Sequence, residues 1–191
     1  MTSSSSSFRR HASAPRRVRR AAGPTRKSPH AAAPEEDSGT TAHAMKLAEI
    51  RRATTADLPE IRRLLVASLL PTDGVADALS GFLVAEHEQA LVGVVGVERC
   101  GDYGLLRSAA VAPAWRSRGV GRQLVERAIA EAEMDGLRSL YLLTTTAERY
   151  FPSFGFATTT REAVPDPVRR TAEFLGACPA SATVMSRPLR A

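Results

Sequence analysis

The feature that most constrains this chain is a junction. An apolar segment from Gly104 to Ala112 runs through Pro113-Ala-Trp-Arg-Ser-Arg118 into an amphipathic segment from about Gly119 to Asp135. The first reads as a strand. The second carries Val120, Leu124, Val125, Ala128, Ile129 and Ala132 at helical spacing, and Gly136 stops it. Two glycines (119 and 121) and three arginines (Arg116, Arg118 and Arg122) stand where strand gives way to helix. Glycine lets a backbone approach a ligand closely. The first N–H groups of a helix lack internal acceptors, and the helix dipole favours negative charge there. Such a junction suits a phosphorylated ligand.

The rest of the chain fits a layered domain around that junction. Leu47 to Arg52 alternates like a short strand. Thr54-Thr-Ala-Asp57 has the pattern of a capping box, and Leu58, Ile61, Leu64, Leu65 and Leu69 follow on one helical face. A short second helix is expected at Val75–Leu79. Phe82–Glu86 and Leu91–Arg99 read as two strands joined by the polar turn His87-Glu-Gln89. Leu140–Leu143 is an apolar run suited to a buried strand. Thr145-Thr-Ala-Glu148 again has the form of a capping box, opening a short helix to about Ser153. Phe156–Thr160 reads as a strand, Val168–Leu175 as a helix and Ser181–Ser186 as a closing strand. The expected fold is α/β, a mixed sheet of about seven strands with helices on both faces.

Charge divides the chain in two. The formal charge of +6 is carried almost wholly by residues 1–44, which hold eight basic and three acidic residues. Residues 45–191 are nearly neutral, which argues against a nucleic-acid-binding face on the folded part. We expect residues 1–44, rich in Ser, Arg, Ala and Pro, to be a disordered basic tail and 45–191 to be the domain. A mis-assigned start before Met45, contact with nucleic acid and an organellar targeting segment are open readings of that tail. No apolar run reaches the roughly 18 residues needed to span a bilayer. Cys100 and Cys178 are the only cysteines and lie far apart, so neither a disulfide framework nor a metal site is expected, and a cytoplasmic setting is.

Two glycine-loop chemistries fail on particular residues. A P-loop requires Gly-Lys-Ser/Thr, which is absent. A dinucleotide fingerprint requires a third glycine where Leu124 stands. What remains is Arg116-x-x-Gly119-x-Gly121. With Ala110-Val-Ala-Pro113 before it, Leu140-Tyr-Leu-Leu143 after it and Ala147-x-x-Tyr-Phe-x-x-x-Gly-Phe156 beyond, the stretch 47–187 resembles the GCN5-related N-acetyltransferases (GNAT).

The resemblance implies acetyl-CoA as co-substrate and no metal. It implies that Arg116, Ser117, Arg118, Gly119, Val120, Gly121 and Arg122 hold the pyrophosphate, that pantetheine lies along Ala110 and Val111, and that the backbone near Val111 polarises the thioester carbonyl. A small-molecule primary amine then attacks directly. Many members carry a tyrosine where Phe151 stands here, with Tyr150 one position earlier, and a glutamate where Leu105 stands. Tyr150 is therefore the candidate acid, and Glu98 the nearest candidate base. Arg107, inside an apolar strand, either pairs with an acid such as Glu98 or clamps an acceptor carboxylate. Thr144, Thr145 and Thr146 are placed to touch pantetheine or acceptor, although capping explains Thr145 as well.

Tyr141–Glu148 and Thr171–Met185 look like acetyltransferases of arsenic-resistance operons, similar in turn to enzymes that detoxify phosphinate or arsinate amino acids. A CoA-binding sensor of the same fold, without turnover, is the alternative reading. A homodimer is compatible with either.

Overall fold

A computed structural model describes residues 48–190. The expectations for residues 1–44, including their domain boundary, lie outside the described residues. Seven strands form one sheet: β1 (Glu49–Arg52), β2 (Phe82–His87), β3 (Ala90–Cys100), β4 (Tyr103–Val111), β5 (Ser139–Thr144), β6 (Ala157–Thr159) and β7 (Thr183–Pro188). Their spatial order is β1-β2-β3-β4-β5-β7-β6. Every pairing is antiparallel except β4 with β5.

That parallel pair is the hinge of the architecture. A parallel neighbour needs a crossover, and here it is helix α2 (Val120–Met134), whose Leu124, Val125, Ala128, Ile129 and Ala132 are buried against one face of the sheet. Phe151, Phe154 and Phe156 complete that layer. The opposite face is covered by helix α1 (Leu58–Ala67) over Phe82, Val84 and Val94, and by Val164 and Val168 over Leu105 and Val184.

Pairing of β4 with β5 ends at Leu105 opposite Tyr141. Beyond it Leu106–Val111 and Leu142–Thr144 diverge, and the sheet opens. A bulge in β4 sits at the opening: Val94 pairs with Ala110 and Gly96 with Arg107, so Ser108 and Ala109 together face one residue, Val95. Ser108 takes a left-handed conformation there, φ +57°. The bulge re-aims the strand, placing Ala110 over α1 and Val111 against the α2 layer.

Three helical expectations are corrected. Residues 75–79 form turns leading to a short 3-10 segment, Leu79–Gly81, since Gly74 and Gly81 flank a stretch too short to sustain a helix. The segment expected to be helical over 168–175 divides into α3 (Asp166–Arg169) and a wide helical turn, Glu173–Ala177. The Thr171 hydroxyl donates to the Val168 carbonyl between them (2.8 Å). The cap after β5 belongs to Thr144 rather than Thr145: its Oγ1 accepts from the Ala147 N–H (2.9 Å), and Phe151–Phe154 is a 3-10 turn. No helix among the described residues is long and apolar enough to cross a membrane.

Candidate active site

The loop between β4 and α2 is shaped by two left-handed residues. Ser117 has φ +60° and Gly119 φ +82°. Alternating left-handed positions turn successive N–H groups to one side, a nest for an anion. The first helical bond runs from the Gln123 N–H to the Gly119 carbonyl, so the N–H groups of Val120, Gly121 and Arg122 lack helical acceptors. The arginines differ in freedom. Arg116 Nε donates to the Val111 carbonyl (3.1 Å), tying the loop back to the strand. Arg122 donates to Glu126 (2.8 Å) and lies over the Phe154 ring, while Arg118 lies over Trp115. Trp115 also packs on His87, which joins the loop to the β2–β3 turn.

The Val111 carbonyl is taken by Arg116, but its N–H faces away from β3. The Ala112 N–H donates to Val92 on β3 (2.8 Å). Successive N–H groups of a strand point to alternate edges, so the Val111 N–H is directed into the opening between β4 and β5. A cavity of about 140 Å³ lies beside that stretch of β4, between the sheet and the start of α2, lined by Val94, Ala110, Val111, Gly121, Leu124 and Tyr150 among others.

Tyr150 reaches this cavity by a route the sequence does not show. On a regular α-helix it would diverge by about 100° from Phe151. Here Tyr150 precedes a 3-10 turn, Phe151 is buried in the aromatic layer, and the half-exposed Tyr150 ring packs on Phe154. Its hydroxyl lies 3.3 Å from where a Cβ on Gly121 would stand. Burial raises the phenol's pKa above its usual value, Arg122 opposes this and Glu126 adds to it. The hydroxyl therefore keeps its proton at neutral pH.

Two expected site residues stand elsewhere. Glu98 pairs with Leu105 and Val111 with Gly93, five residues apart on β3, which is roughly 17 Å along a strand. Glu98 instead accepts from Arg107 Nη1 (2.7 Å) and borders a cavity of about 520 Å³ at the far end of the sheet, with Arg52, Ser80 and Glu131. Glu98 is thus not placed beside Val111. Arg107 is fully enclosed and its fork is occupied by protein groups, so it is not open to clamp an acceptor. Of the threonines, Thr144 is used as a cap; Thr145 and Thr146 are exposed at the open end of β5. Sequence reasoning did not single out Glu173, a buried carboxylate on Arg107, or Ser108, whose bulge has no local signature.

A sheet opened between its one parallel pair, with a glycine-rich helix start beside the opening, defines an acyltransferase of the acetyltransferase class. A family model described as an acetyltransferase (GNAT) domain matches residues 78–158. An amino-acid acetyltransferase of Mycobacterium tuberculosis is 34% identical over 120 residues, covering 56% of this chain and 67% of the relative. The chain belongs to the GNAT acetyltransferase family.

An amino-acid acetyltransferase of Neisseria meningitidis is 25% identical over 69% of this chain, which spans only 32% of that protein. Among solved structures, a Mycobacterium tuberculosis protein in complex with CoA and NLQ superposes with TM-score 0.64 at 25% identity, covering 74% of this chain and 99% of that one. The N-acetylglutamate synthase of Neisseria gonorrhoeae, complexed with CoA and L-arginine, shares the fold with TM-score 0.65 at 24% identity, over 76% of this chain and 34% of that one. Among the described residues no group of three or more His, Cys, Asp and Glu side chains is arranged to hold a metal ion.

Proposed function

We propose that this chain acetylates the α-amino group of a small amino-acid-like compound, with phosphinothricin-like and arsenical amino acids as the specific acceptors to be tried. The observation that carries the reading is the meeting of three groups at one cavity: the Val111 edge, the start of α2 at Gly121, and the Tyr150 hydroxyl. The relatives named as amino-acid acetyltransferases support the acceptor class.

Acetyl-CoA supplies an activated thioester. In this reading the N–H groups at 119–122, with Arg116, Ser117 and Arg118 beside them, hold its pyrophosphate. Ala110 and Val111 pair with the pantetheine arm as an added strand. The Val111 N–H polarises the thioester carbonyl, and Tyr150 gives its proton to the departing thiolate. Thr145 and Thr146 border the same opening. Since Glu98 is remote and Leu105 is buried, the amine's proton leaves to solvent. The protein's main contribution is then to hold two substrates in line.

The test is thiol release from acetyl-CoA against a panel of methionine-, glutamate- and phosphinothricin-like compounds and arsenical amino acids. At least one should raise the rate well above background hydrolysis. Gly119→Glu, placing a side chain and charge where φ is +82°, should abolish CoA binding. A silent panel would reject the acceptor class, and normal CoA titration by Gly119→Glu would reject the pyrophosphate site.

A further inference from the structure

Arg107 is a charge in the middle of a sheet, with its side chain fully excluded from solvent. Burying such a charge is costly unless it is paired. Its planar fork meets three separate parts of the chain. Nη1 donates to Glu98 on β3 (2.7 Å), and Nη2 donates to the Asp73 carbonyl in the loop after α1. Nε forms a 3.2 Å ion pair with Oε1 of Glu173 without the geometry of a hydrogen bond; Glu173, only 4% exposed, lies in the segment between β6 and β7. The other oxygen of Glu173 is 3.1 Å from the Cys178 thiol.

The two loops also touch over this guanidinium. A Cβ on Gly74, where φ is +71°, would stand 3.1 Å from Arg107 Nη1 and 3.9 Å from the Cβ of Ala172. Gly74 thus lets the loop backbone lie directly on the arginine, and Ala172 closes from the other side. One residue fastens both segments to the sheet.

Their position gives this a consequence. In the reading above the CoA arm takes the α2 side of β4, where Gly121, Leu124 and Tyr150 line the cavity. The amine then approaches from the other face, over which lie Val75 and Leu79 of the stretch after α1 and Val164 and Val168 of the segment between β6 and β7. Arg107 lies one residue before the Ser108 bulge at which the opening between β4 and β5 begins.

We propose that Arg107 is a positioning residue for the acceptor: it sets the spacing of the two walls between which the amine is aligned, without touching either substrate. This rests on the acetyl-transfer site assigned above. Because Arg107 is remote from the 116–122 loop, its replacement should act on the acceptor and spare CoA. A lysine keeps the charge but replaces a rigid fork with one compact ammonium, so it cannot hold three partners at those places.

The experiment uses the full chain, with L-glutamate and phosphinothricin as acceptor probes. Wild-type protein is first titrated with CoA and assayed for thiol release; failure at this stage counts against the acetyl-transfer site, not against Arg107. Arg107→Lys should then raise acceptor KM at least tenfold while leaving CoA affinity and acetyl-CoA KM within twofold. Glu173→Gln, which keeps the shape and lets Arg107 retain two partners, should give a smaller shift in the same direction. Hydrogen exchange in Arg107→Lys should quicken at 69–78 and 166–178 but not over α2. If Arg107→Lys does not fold, the Glu173→Gln split decides. An unchanged acceptor KM in either folded variant, or an equal loss of CoA and acceptor binding, would overturn the proposal.

Discussion

The Tyr150 hydroxyl lies 3.3 Å from the point that a Cβ on Gly121 would occupy, and Val111 Cγ2 lies 3.4 Å from the same point. Helix start, strand edge and phenol thus converge on one glycine. This relationship leaves little room for a side chain at the second glycine of the loop, although its backbone is ordinary helix.

Gly121→Ala should separate stability from activity. Alanine in the first turn of α2 should add about 0.5–1 kcal/mol to stability through helix propensity. Its methyl presses on Tyr150 and Val111, displacing groups that must be aligned. We expect an unchanged or higher Tm with kcat lowered by roughly tenfold or more, since small misplacements at a reacting centre are costly. Thermal melts and steady-state rates on one preparation check both halves. A variant with raised stability and full activity would remove Gly121 from the site.

Tyr150→Phe removes one oxygen and keeps the ring against Phe154. We expect kcat to fall by about 10²-fold or more with CoA affinity unchanged. The sign of the pH effect follows from burial raising the phenol's pKa. A proton donor works below its pKa, so the wild-type plateau should extend beyond pH 10, the ordinary tyrosine value, before falling. The variant should lack that alkaline limb. A limb that persists in Tyr150→Phe would assign the acid elsewhere.

Asp57 anchors the start of α1. It receives two hydrogen bonds of 2.8 Å from Arg51 and a 2.7 Å bond from the Thr54 N–H. The Arg51 guanidinium, followed by Thr54, holds its carboxyl well below the ordinary carboxylate range. A lowered folded pKa stabilises above the unfolded value near 4, and that contribution is lost as pH falls below it. Asp57→Asn should cost about 1 kcal/mol at pH 7, the modest figure reflecting the partial exposure of Arg51. Urea unfolding should show the gap shrinking between pH 5 and pH 3. A gap independent of pH would refute the linkage.

Neither cysteine should react readily. Burial pushes the Cys100 thiol up to about 11, with Glu98 adding to the shift. Burial, then Glu173, pushes Cys178 up to about 12. Since the thiolate is the nucleophile, alkylation by iodoacetamide at pH 8 should run on the order of a hundredfold slower than for a free thiol. Intact-mass spectra over time measure this, and rapid labelling of either residue in folded protein would contradict it.

Much of the fold was legible because its cause is local. The capping pattern at Thr54–Asp57, the face of α2 and the turn at His87–Gln89 all arise from neighbouring residues. Legibility failed where a segment's form depends on something distant. The helix expected over 168–175 is broken because its halves serve different partners, Val168 the sheet and Glu173 the buried arginine. Thr144 takes the cap expected of Thr145 because β5 runs one residue further against β7, pairing Thr144 with Thr183. Glu98 shows the same limit: proximity in sequence to the central strands says nothing of its register, and the register puts it far from Val111.

By itself, then, the sequence determined the glycine-containing loop at 116–121, the strand and helix beside it and the family they belong to. Each follows from residue type at fixed short spacing, where glycine conformation, unpaired N–H groups and apolar periodicity act over a few residues. Only the tertiary structure decided that Tyr150 rather than Phe151 faces the opening, and that Arg107 is consumed by Asp73, Glu98 and Glu173 instead of offered to a substrate. Those outcomes depend on strand order, on a bulge and on where distant loops close, and burial makes an unmatched charge too costly to leave the choice open.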